Sequence, residues 1–249
     1  MLKKERQAYI LHQINLHNRV LSSNLSQEMN VSEDTVRRDL QELADDGKVI
    51  KVHGGALSHS FDHYYSPGIN VYGQSQKKII AMKAVKLLKD GMFVLTTGGT
   101  TIIELAKNLP PALKATFISG SIPVIFEYIR HPGIEVIVIG DKVSKNAKIT
   151  IGGEAIARIR QIRADICFLG VNALDEQAGL TDNDWDVVQL KKAMIESSRK
   201  VVCLSISEKL NSVQPIHVGD LNCIDVLITE LDADNPIFEP YKKAGITIL

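Results

Sequence analysis

The chain has 249 residues, 45% of them apolar, and its 29 basic side chains balance its 29 acidic ones. That length accommodates one large domain and a small one; no run approaches the roughly 20 apolar residues of a membrane span, and the neutral charge excludes any argument for a nucleic-acid partner from bulk charge alone. Met1-Leu2-Lys3-Lys4-Glu5-Arg6 leads into an amphipathic pattern rather than a signal peptide, so a cytoplasmic protein without membrane contact is expected. Cys167, Cys203 and Cys223 lie in separate apolar stretches without a Cys or His at ligand spacing, so reduced thiols, no metal and no cofactor are expected.

Leu2 to Leu16 places Leu2, Ile10, Leu11 and Ile14 among polar residues and predicts a first packing helix. Leu21, Leu25 and Met29 mark a second, short one, and Asn30-Val31-Ser32 a turn. A third helix should start at Ser32, a good N-cap, because Glu33 and Asp34 put negative charge on the first turn where the helix dipole favours it. At about 100° per residue Val36, Leu40 and Leu43 share one stripe, Asp34, Arg38 and Gln41 point away, and Thr35 and Arg37 lie on the flanks.

This is helix-turn-helix spacing, in which the second helix of the motif enters the major groove. The alternative is an ordinary helical hairpin with a solvated arginine pair. Asp45-Asp46-Gly47 ends the helix, Lys48 to Val52 reads as a strand, and His53-Gly54-Gly55-Ala56-Leu57 supplies a bend and a return strand. The outline is a winged helix-turn-helix over residues 1–57.

Within it Lys3, Lys4, Arg6, Arg19, Arg37, Arg38, Lys48 and Lys51 are balanced by Glu5, Glu28, Glu33, Asp34, Asp39, Glu42, Asp45 and Asp46. Only the placement of charge can make a footprint. Arg19, Arg37, Arg38, Lys48 and Lys51 on one face would do so, with useful affinity needing a dimer and two half-sites.

Residues 58–73, including Pro67-Gly68, break all periodicity and read as a linker. From Gln74 onward helices alternate with short apolar strands. Lys77 to Leu88, Thr101 to Leu109, Pro123 to Ile129 and Trp185 to Ser198 are predicted helices. Met92 to Leu95, Thr116 to Ile118, Ile134 to Ile139, Ile166 to Leu169, Val201 to Leu204 and Val226 to Ile228 are predicted strands. The almost wholly apolar Ile134 to Ile139 is expected to be covered on both faces. The alternation implies an α/β domain over 74–249 with a mainly parallel sheet, whose ligands bind beyond the carboxyl ends of the strands.

There, Thr96-Thr97-Gly98-Gly99-Thr100-Thr101 runs into a helix. Glycines let backbone N–H groups approach a ligand, the helix N-terminus favours an anion, and hydroxyls add donors, which together make a phosphate cradle without the Walker ending. Ser119-Gly120-Ser121 repeats the arrangement, and Gly152-Gly153 could form a further nest.

Thr35-Val36-Arg37-Arg38-Asp39-Leu40 followed by His53-Gly54-Gly55-Ala56 resembles the signature of the DeoR family of bacterial transcriptional regulators. The Gly-Gly-Thr-Thr unit, Arg163 to Gly170, Gly179-Leu180-Thr181, Lys191 to Ile195 and Ser207-Glu208-Lys209-Leu210 resemble successive motifs of its effector domain. The resemblance implies a fold similar to ribose-5-phosphate isomerase and a phosphorylated sugar or related metabolite as effector. It implies that Gly98, Gly99, Thr100 and Thr101 hold the phosphate, with Ser119, Ser121, Gly152, Asn172 and Lys209 around the sugar and Lys77 a weaker member. Thr96, Asp141 and Ile206 depart from the family pattern, and Asp141 near a phosphate would repel it unless turned away.

The expected function is a DNA-binding transcriptional regulator, a repressor of a sugar-metabolism operon and not an enzyme, working as a homo-oligomer, dimer or tetramer. Arg37 and Arg38 would meet guanine edges or phosphates, Thr35 and Gln41 nearby bases or backbone, and Arg19, Lys51 and His53 the adjacent groove or strand. The alternative is a sugar-phosphate isomerase with a DNA-binding appendage, for which Asp165, Glu154 and Asp182 are the acids near loops.

Overall fold

Three helices open the chain because each carries one apolar stripe. α1 (Lys3–His17) buries Ile10 and Ile14, α2 (Ser22–Met29) buries Leu25 and Met29, and α3 (Glu33–Asp45) buries Val36, Leu40 and Leu43. Asn18 and Asn30 end α1 and α2 in the left-handed conformation that Asn tolerates. Ser32 caps α3 as expected, its hydroxyl accepting the Thr35 N–H.

The computed structural model describes residues 1–59 and 71–249. It adds a short strand that the sequence pattern did not reveal, β1 (Arg19–Leu21). With β2 (Ile50–Val52) and β3 (Gly55–Leu57) it forms an antiparallel sheet in the order β1-β3-β2. A Cβ at Gly55 would overlap the Val20 carbonyl, so only glycine lets β3 lie this close to β1. The Gly54 carbonyl accepts the Ser22 N–H at 2.8 Å, which ties the wing turn to the start of α2.

The chain divides into two compact units, Met1–Tyr72 and Gly73–Leu249. Pro67-Gly68 of the expected linker lie outside the described residues.

In the second unit the elements run α4 (Gln74–Ala84), β4 (Phe93–Thr96), α5 (Thr100–Lys107), β5 (Thr116–Ser119), α6 (Ile122–Tyr128) and β6 (Glu135–Val138). Then come the hairpin β7 (Lys142–Ser144) and β8 (Ile149–Ile151), α7 (Gly153–Arg160), β9 (Ile166–Gly170), β10 (Ala173–Asp175), β11 (Gly179–Asp182) and α8 (Trp185–Glu196). β12 (Val201–Leu204), β13 (Ile216–Gly219), β14 (Val226–Ile228), α9 (Glu239–Lys243) and β15 (Thr247–Ile248) complete the chain. Seven strands form one parallel sheet in the order β15-β14-β12-β9-β4-β5-β6, while β10, β11 and β13 form a small antiparallel sheet.

Alternation along the strands sorts the core into two layers. Leu95, Ile118, Cys167 and Leu169 share a cluster with Ile159 of α7 and Leu190 and Met194 of α8. Across the sheet Phe117 stacks on Tyr128 of α6 at 4.7 Å between ring centroids. Tyr128 is fully buried, and its hydroxyl donates to Thr96 Oγ1 at 3.2 Å; left unmet, it would cost about 1–3 kcal/mol.

One expectation needs correction. The apolar stretch Ile134 to Ile139 is not covered on both faces: β6 is an edge strand, and Glu135, Ile137 and Val138 are exposed. An apolar run reads alike in a central strand and an uncovered edge, because composition carries no information on strand order.

The order also locates the ligand edge. From β4 the chain steps outward to β5 and β6, then returns to β9 on the other side of β4 and continues to β12. The switch point therefore lies between the carboxyl ends of β4 and β9, at Thr96 and Gly170, where ligands bind in open α/β sheets.

Candidate functional site

In the first unit the exposed side of α3 carries Arg37, Arg38 and Gln41, with Thr35 half-buried beside them. The Arg37 side chain is 60% exposed and pairs within its own helix, with Glu33 at 3.1 Å and Asp34 at 3.3 Å. Such exposed pairs stabilise by a few tenths of a kcal/mol and exchange readily for a phosphate. Arg38 makes no hydrogen bond or ion pair among the described residues, whereas Thr35 Oγ1 lies 2.9 Å from the Ser32 hydroxyl.

The wing is joined to this face. Lys51 on β2 donates to Gln41 Oε1 at 2.6 Å, and Gln41 Nε2 donates to Asp45. Strand and helix thus share one polar edge. His53 sits exposed in the wing turn, and Arg19 lies half-buried in β1, directly before α2.

α3 is braced from behind by Arg6 and Asp39. The Arg6 Nε donates to Asp39 Oδ2 at 2.7 Å and Nη2 donates to Oδ1 at 3.2 Å, and the Asp39 carboxylate is buried. A count of charges does not show this role of Asp39. Its partner is 33 residues away, and nothing local announces it.

In the second unit the two loops at the switch point are laced together. Thr97 Oγ1 accepts the Gly170 N–H at 2.8 Å, the Thr97 N–H donates to the Phe168 carbonyl, and Ser119 Oγ donates to the Thr96 carbonyl at 3.0 Å. Gly99, at φ +112°, turns the chain into α5, whose first residues are Thr100, buried, and Thr101, half-buried. The first N–H groups of α5 lack intrahelical partners, as in any helix. Ser121 is buried, yet its hydroxyl has no hydrogen-bond partner among the described residues; it lies where a Cβ on Gly98 would come within 2.9 Å. Gly98, Gly99, Thr100, Ser119 and Ser121 are thereby brought to one place.

Lysines gather beside them. Lys191 of α8, 4% exposed, donates to the Gly170 carbonyl and to Asp182 Oδ2, both at 2.7 Å. Burial alone would raise the Asp182 pKa, but the Lys191 ammonium, the Asn183 N–H and the Asn172 amide outweigh it and bring it below the ordinary value. Asn172 Nδ2 donates to Asp182 Oδ1 at 3.2 Å. Lys209 donates to the Val171 carbonyl at 3.1 Å. Burial, and then the like charges of Lys77 and Lys191, bring its pKa down to about 7 against the pull of Asp182. Lys77 on α4 is 5% exposed; burial brings it to about 8, with Glu104 and Glu208 opposing. Ser207, at the start of the turn bearing Lys209, is held by the Glu230 carboxylate through its N–H and hydroxyl.

Sequence reasoning did not place Lys191 and Thr97 among the site residues, and it ranked Lys77 low. Lys191 joins Asp182 only because the chain turns from β11 into α8. At Gly152 a side chain of this chain is already in place. The Asp141 carboxylate lies against the glycine and accepts the Lys142 N–H at 2.6 Å and those of Glu154 and Ala155, on the first turn of α7, at 3.0 and 3.1 Å. The Lys142 N–H first, then those of Ala155 and Glu154, keep the Asp141 pKa below its usual value. Asp141 is thus turned onto a helix end, and the nest expected at Gly152-Gly153 holds a carboxylate of this chain.

The acids considered for isomerase chemistry do not converge. Asp165 accepts the Phe93 N–H at the start of β4, whereas Asp182 is bound through Lys191 to the opposite end of β9. Among the described residues no group of three or more His, Cys, Asp or Glu could hold a metal ion, and no helix is long and apolar enough to cross a membrane.

Comparison with known proteins agrees with this division. The family profile of the DeoR-like helix-turn-helix domain matches residues 6–61, and that of the DeoR C terminal sensor domain matches residues 73–231. The chain is 31% identical to the HTH-type transcriptional regulator GlpR of Haloferax volcanii, covering 100% of this chain and 98% of that one. It is 29% identical to the HTH-type transcriptional repressor GlcR of Bacillus subtilis, over 100% and 96%. It is 27% identical to the HTH-type transcriptional regulator GolR of Listeria innocua, over 100% and 98%. Among solved structures, ribose 5-phosphate isomerase A of Methanocaldococcus jannaschii matches at 20% identity and a TM-score of 0.42, covering 55% of each chain. The translation initiation factor eIF-2B of Pyrococcus horikoshii matches at 13% identity and 0.46, over 92% and 88%.

Proposed function

From the premise that the chain belongs to the DeoR family, and is a DNA-binding transcriptional regulator rather than an enzyme, we propose that it represses a sugar-metabolism operon under the control of a phosphorylated sugar. Residues 1–57 read operator DNA, 58–73 connect, and 74–249 bind the effector. The protein acts in the cytoplasm as a homo-oligomer, a dimer or tetramer.

Arg38, with Arg37, contacts guanine edges or phosphates; Thr35 and Gln41 meet adjacent bases or backbone, and Arg19, Lys51 and His53 the neighbouring strand. Gly98, Gly99, Thr100 and Thr101 cradle the phosphate. Ser119, Ser121, Asn172 and Lys209 surround the sugar, joined by Lys77 and Lys191; Gly152 drops out of the set. The observation that carries this reading is the buried, unpartnered Ser121 hydroxyl facing Gly98 beside the lysine cluster at the switch point.

Thermal melting of the full chain with pentose and hexose phosphates, the matching free sugars and inorganic phosphate tests it. At least one phosphorylated sugar should raise the melting temperature more than its free sugar or phosphate does, and Ser121→Val should abolish the gain. No stabilisation by any phosphorylated sugar would contradict the reading.

A further inference from the structure

The two units join at the Tyr72–Gly73 peptide, and each side of that joint is anchored in its own unit. On the N-terminal side the Tyr72 ring packs edge-on against His12 of α1, with 6.0 Å between ring centroids. The chain, held to the end of α1 at Ser58, whose N–H donates to the Asn18 carbonyl at 2.9 Å, is thus again on that helix at Tyr72. α1 in turn holds the recognition helix through Arg6 and Asp39.

On the C-terminal side Gly73 opens α4. An ordinary N-cap is extended and offers a side-chain acceptor to the first turn; Gly73 lies at φ +63° and offers none. Glycine takes that left-handed conformation and an extended one at similar cost, as other residues do not, which is the property a pivot needs.

Gly73 is also seated on the effector site. A Cβ there would lie 3.7 Å from Ile206, and Ile206, 2% exposed, leads into the turn Ser207–Lys209 that carries Lys209. The Gly73 carbonyl accepts the Lys77 N–H at 2.9 Å, so Lys77 stands one helical turn further along α4. Lys77 and Lys209 are near enough for their charges to oppose each other. An anion that engages both acts on the two elements that meet at Gly73, the first turn of α4 and the Ile206 turn.

We infer that Gly73 is the pivot of the regulator: an effector that engages Lys77 and Lys209 resets the first turn of α4 against the Ile206 turn, the Gly73 backbone turns to follow, and Tyr72 passes the turn to α1 through His12. The inference rests on the proposed effector site and names how its occupancy leaves that unit.

Three variants of the full chain test it, each read by melting with pentose and hexose phosphates and by fluorescence anisotropy on an operator duplex selected by the protein from random sequences. Gly73→Val excludes the left-handed conformation, because a β-branched residue at positive φ is an outlier. Insertion of Gly-Ser-Gly between Tyr72 and Gly73 slackens the joint while keeping every residue of both units, and Tyr72→Ala removes the anchor on α1. In the wild type a sugar phosphate that raises the melting temperature should shift operator affinity at least tenfold. In each variant the same compound should still raise the melting temperature, while the shift should fall below about threefold; the insertion decides the matter should Gly73→Val fail to fold. An insertion variant that keeps the tenfold shift, or a wild type stabilised by a sugar phosphate with no shift at all, would overturn the pivot and leave the effector site standing. No stabilisation by any sugar phosphate would overturn the site and the pivot together.

Discussion

The bidentate pair between Arg6 on α1 and Asp39 on α3 fixes the recognition helix from its inner side, with the Asp39 side chain only 3% exposed. Removing one member of a buried pair leaves the other without compensation. Asp39→Asn should lower the melting temperature of the N-terminal unit by on the order of 5 °C and weaken DNA binding with it. Arg6→Lys should not preserve stability, because an ammonium cannot make the forked contact. Circular-dichroism melts of the three proteins decide the matter, and equal midpoints would refute the bracing role.

On the opposite side of α3 the two arginines should behave differently. Arg38→Ala is expected to cost about 1–3 kcal/mol of operator binding, a loss of roughly 5- to 150-fold. Arg37→Ala removes a cation and also uncovers Glu33 and Asp34. Its loss should therefore grow as salt is lowered, where unscreened carboxylates repel phosphates most strongly. Fluorescence anisotropy at two ionic strengths distinguishes them; a salt-independent Arg37 effect would count against this account.

Lys209 gives the effector unit a pH signature. Its pKa falls from 10.5 when unfolded to about 7 when folded. Between those values the unfolded chain holds a proton that the folded chain has released, so this lysine makes stability rise with pH from about 7 towards 10. Lys77, at about 8, acts in the same direction. Lys209→Met should be more stable than wild type at neutral pH and show a shallower rise in denaturation midpoint between pH 7 and 9. A bound phosphate favours the protonated form, so saturating effector should flatten the wild-type slope. Parallel slopes for wild type and variant would contradict the assignment.

Two adjacent glycines separate pocket from scaffold. A Cβ on Gly98 presses on the Ser121 hydroxyl, whereas one on Gly99 meets nothing, but Gly99 sits at φ +112°, where other residues are strained. Gly98→Ala should abolish stabilisation by phosphorylated sugars with little change in urea midpoint. Gly99→Ala should lower the midpoint by about 1–3 kcal/mol of stability. Urea titrations with and without ligand separate the two.

Much of this was legible in the residues. The stripe Val36, Leu40, Leu43 placed α3 and its exposed arginines, and the buried apolar runs at Val201–Leu204 and Val226–Ile228 coincide with β12 and β14. What stayed hidden depends on contacts between different elements, which no local pattern announces. Arg6 with Asp39, Lys191 with Asp182, and Lys51 with Gln41 each need the fold before they meet. β1 is too short to show a period and exists only because β3 pairs with it. Asp141 repels a phosphate only if it faces one, and that it turns instead onto the start of α7 depends on the β7–β8 hairpin between them.

The central claim is that the ligand at the switch point alters the grip of α3 on DNA, which requires different affinities for at least two arrangements of the protein. Fluorescence anisotropy of the full chain on a fragment selected by the protein from random duplexes, titrated with phosphorylated sugars, measures it directly. The account predicts that one of them shifts operator affinity at least tenfold, about 1.4 kcal/mol of coupling, and that Ser121→Val removes the shift while leaving ligand-free binding intact. If every phosphorylated sugar that binds the protein leaves operator affinity unchanged, the account is wrong.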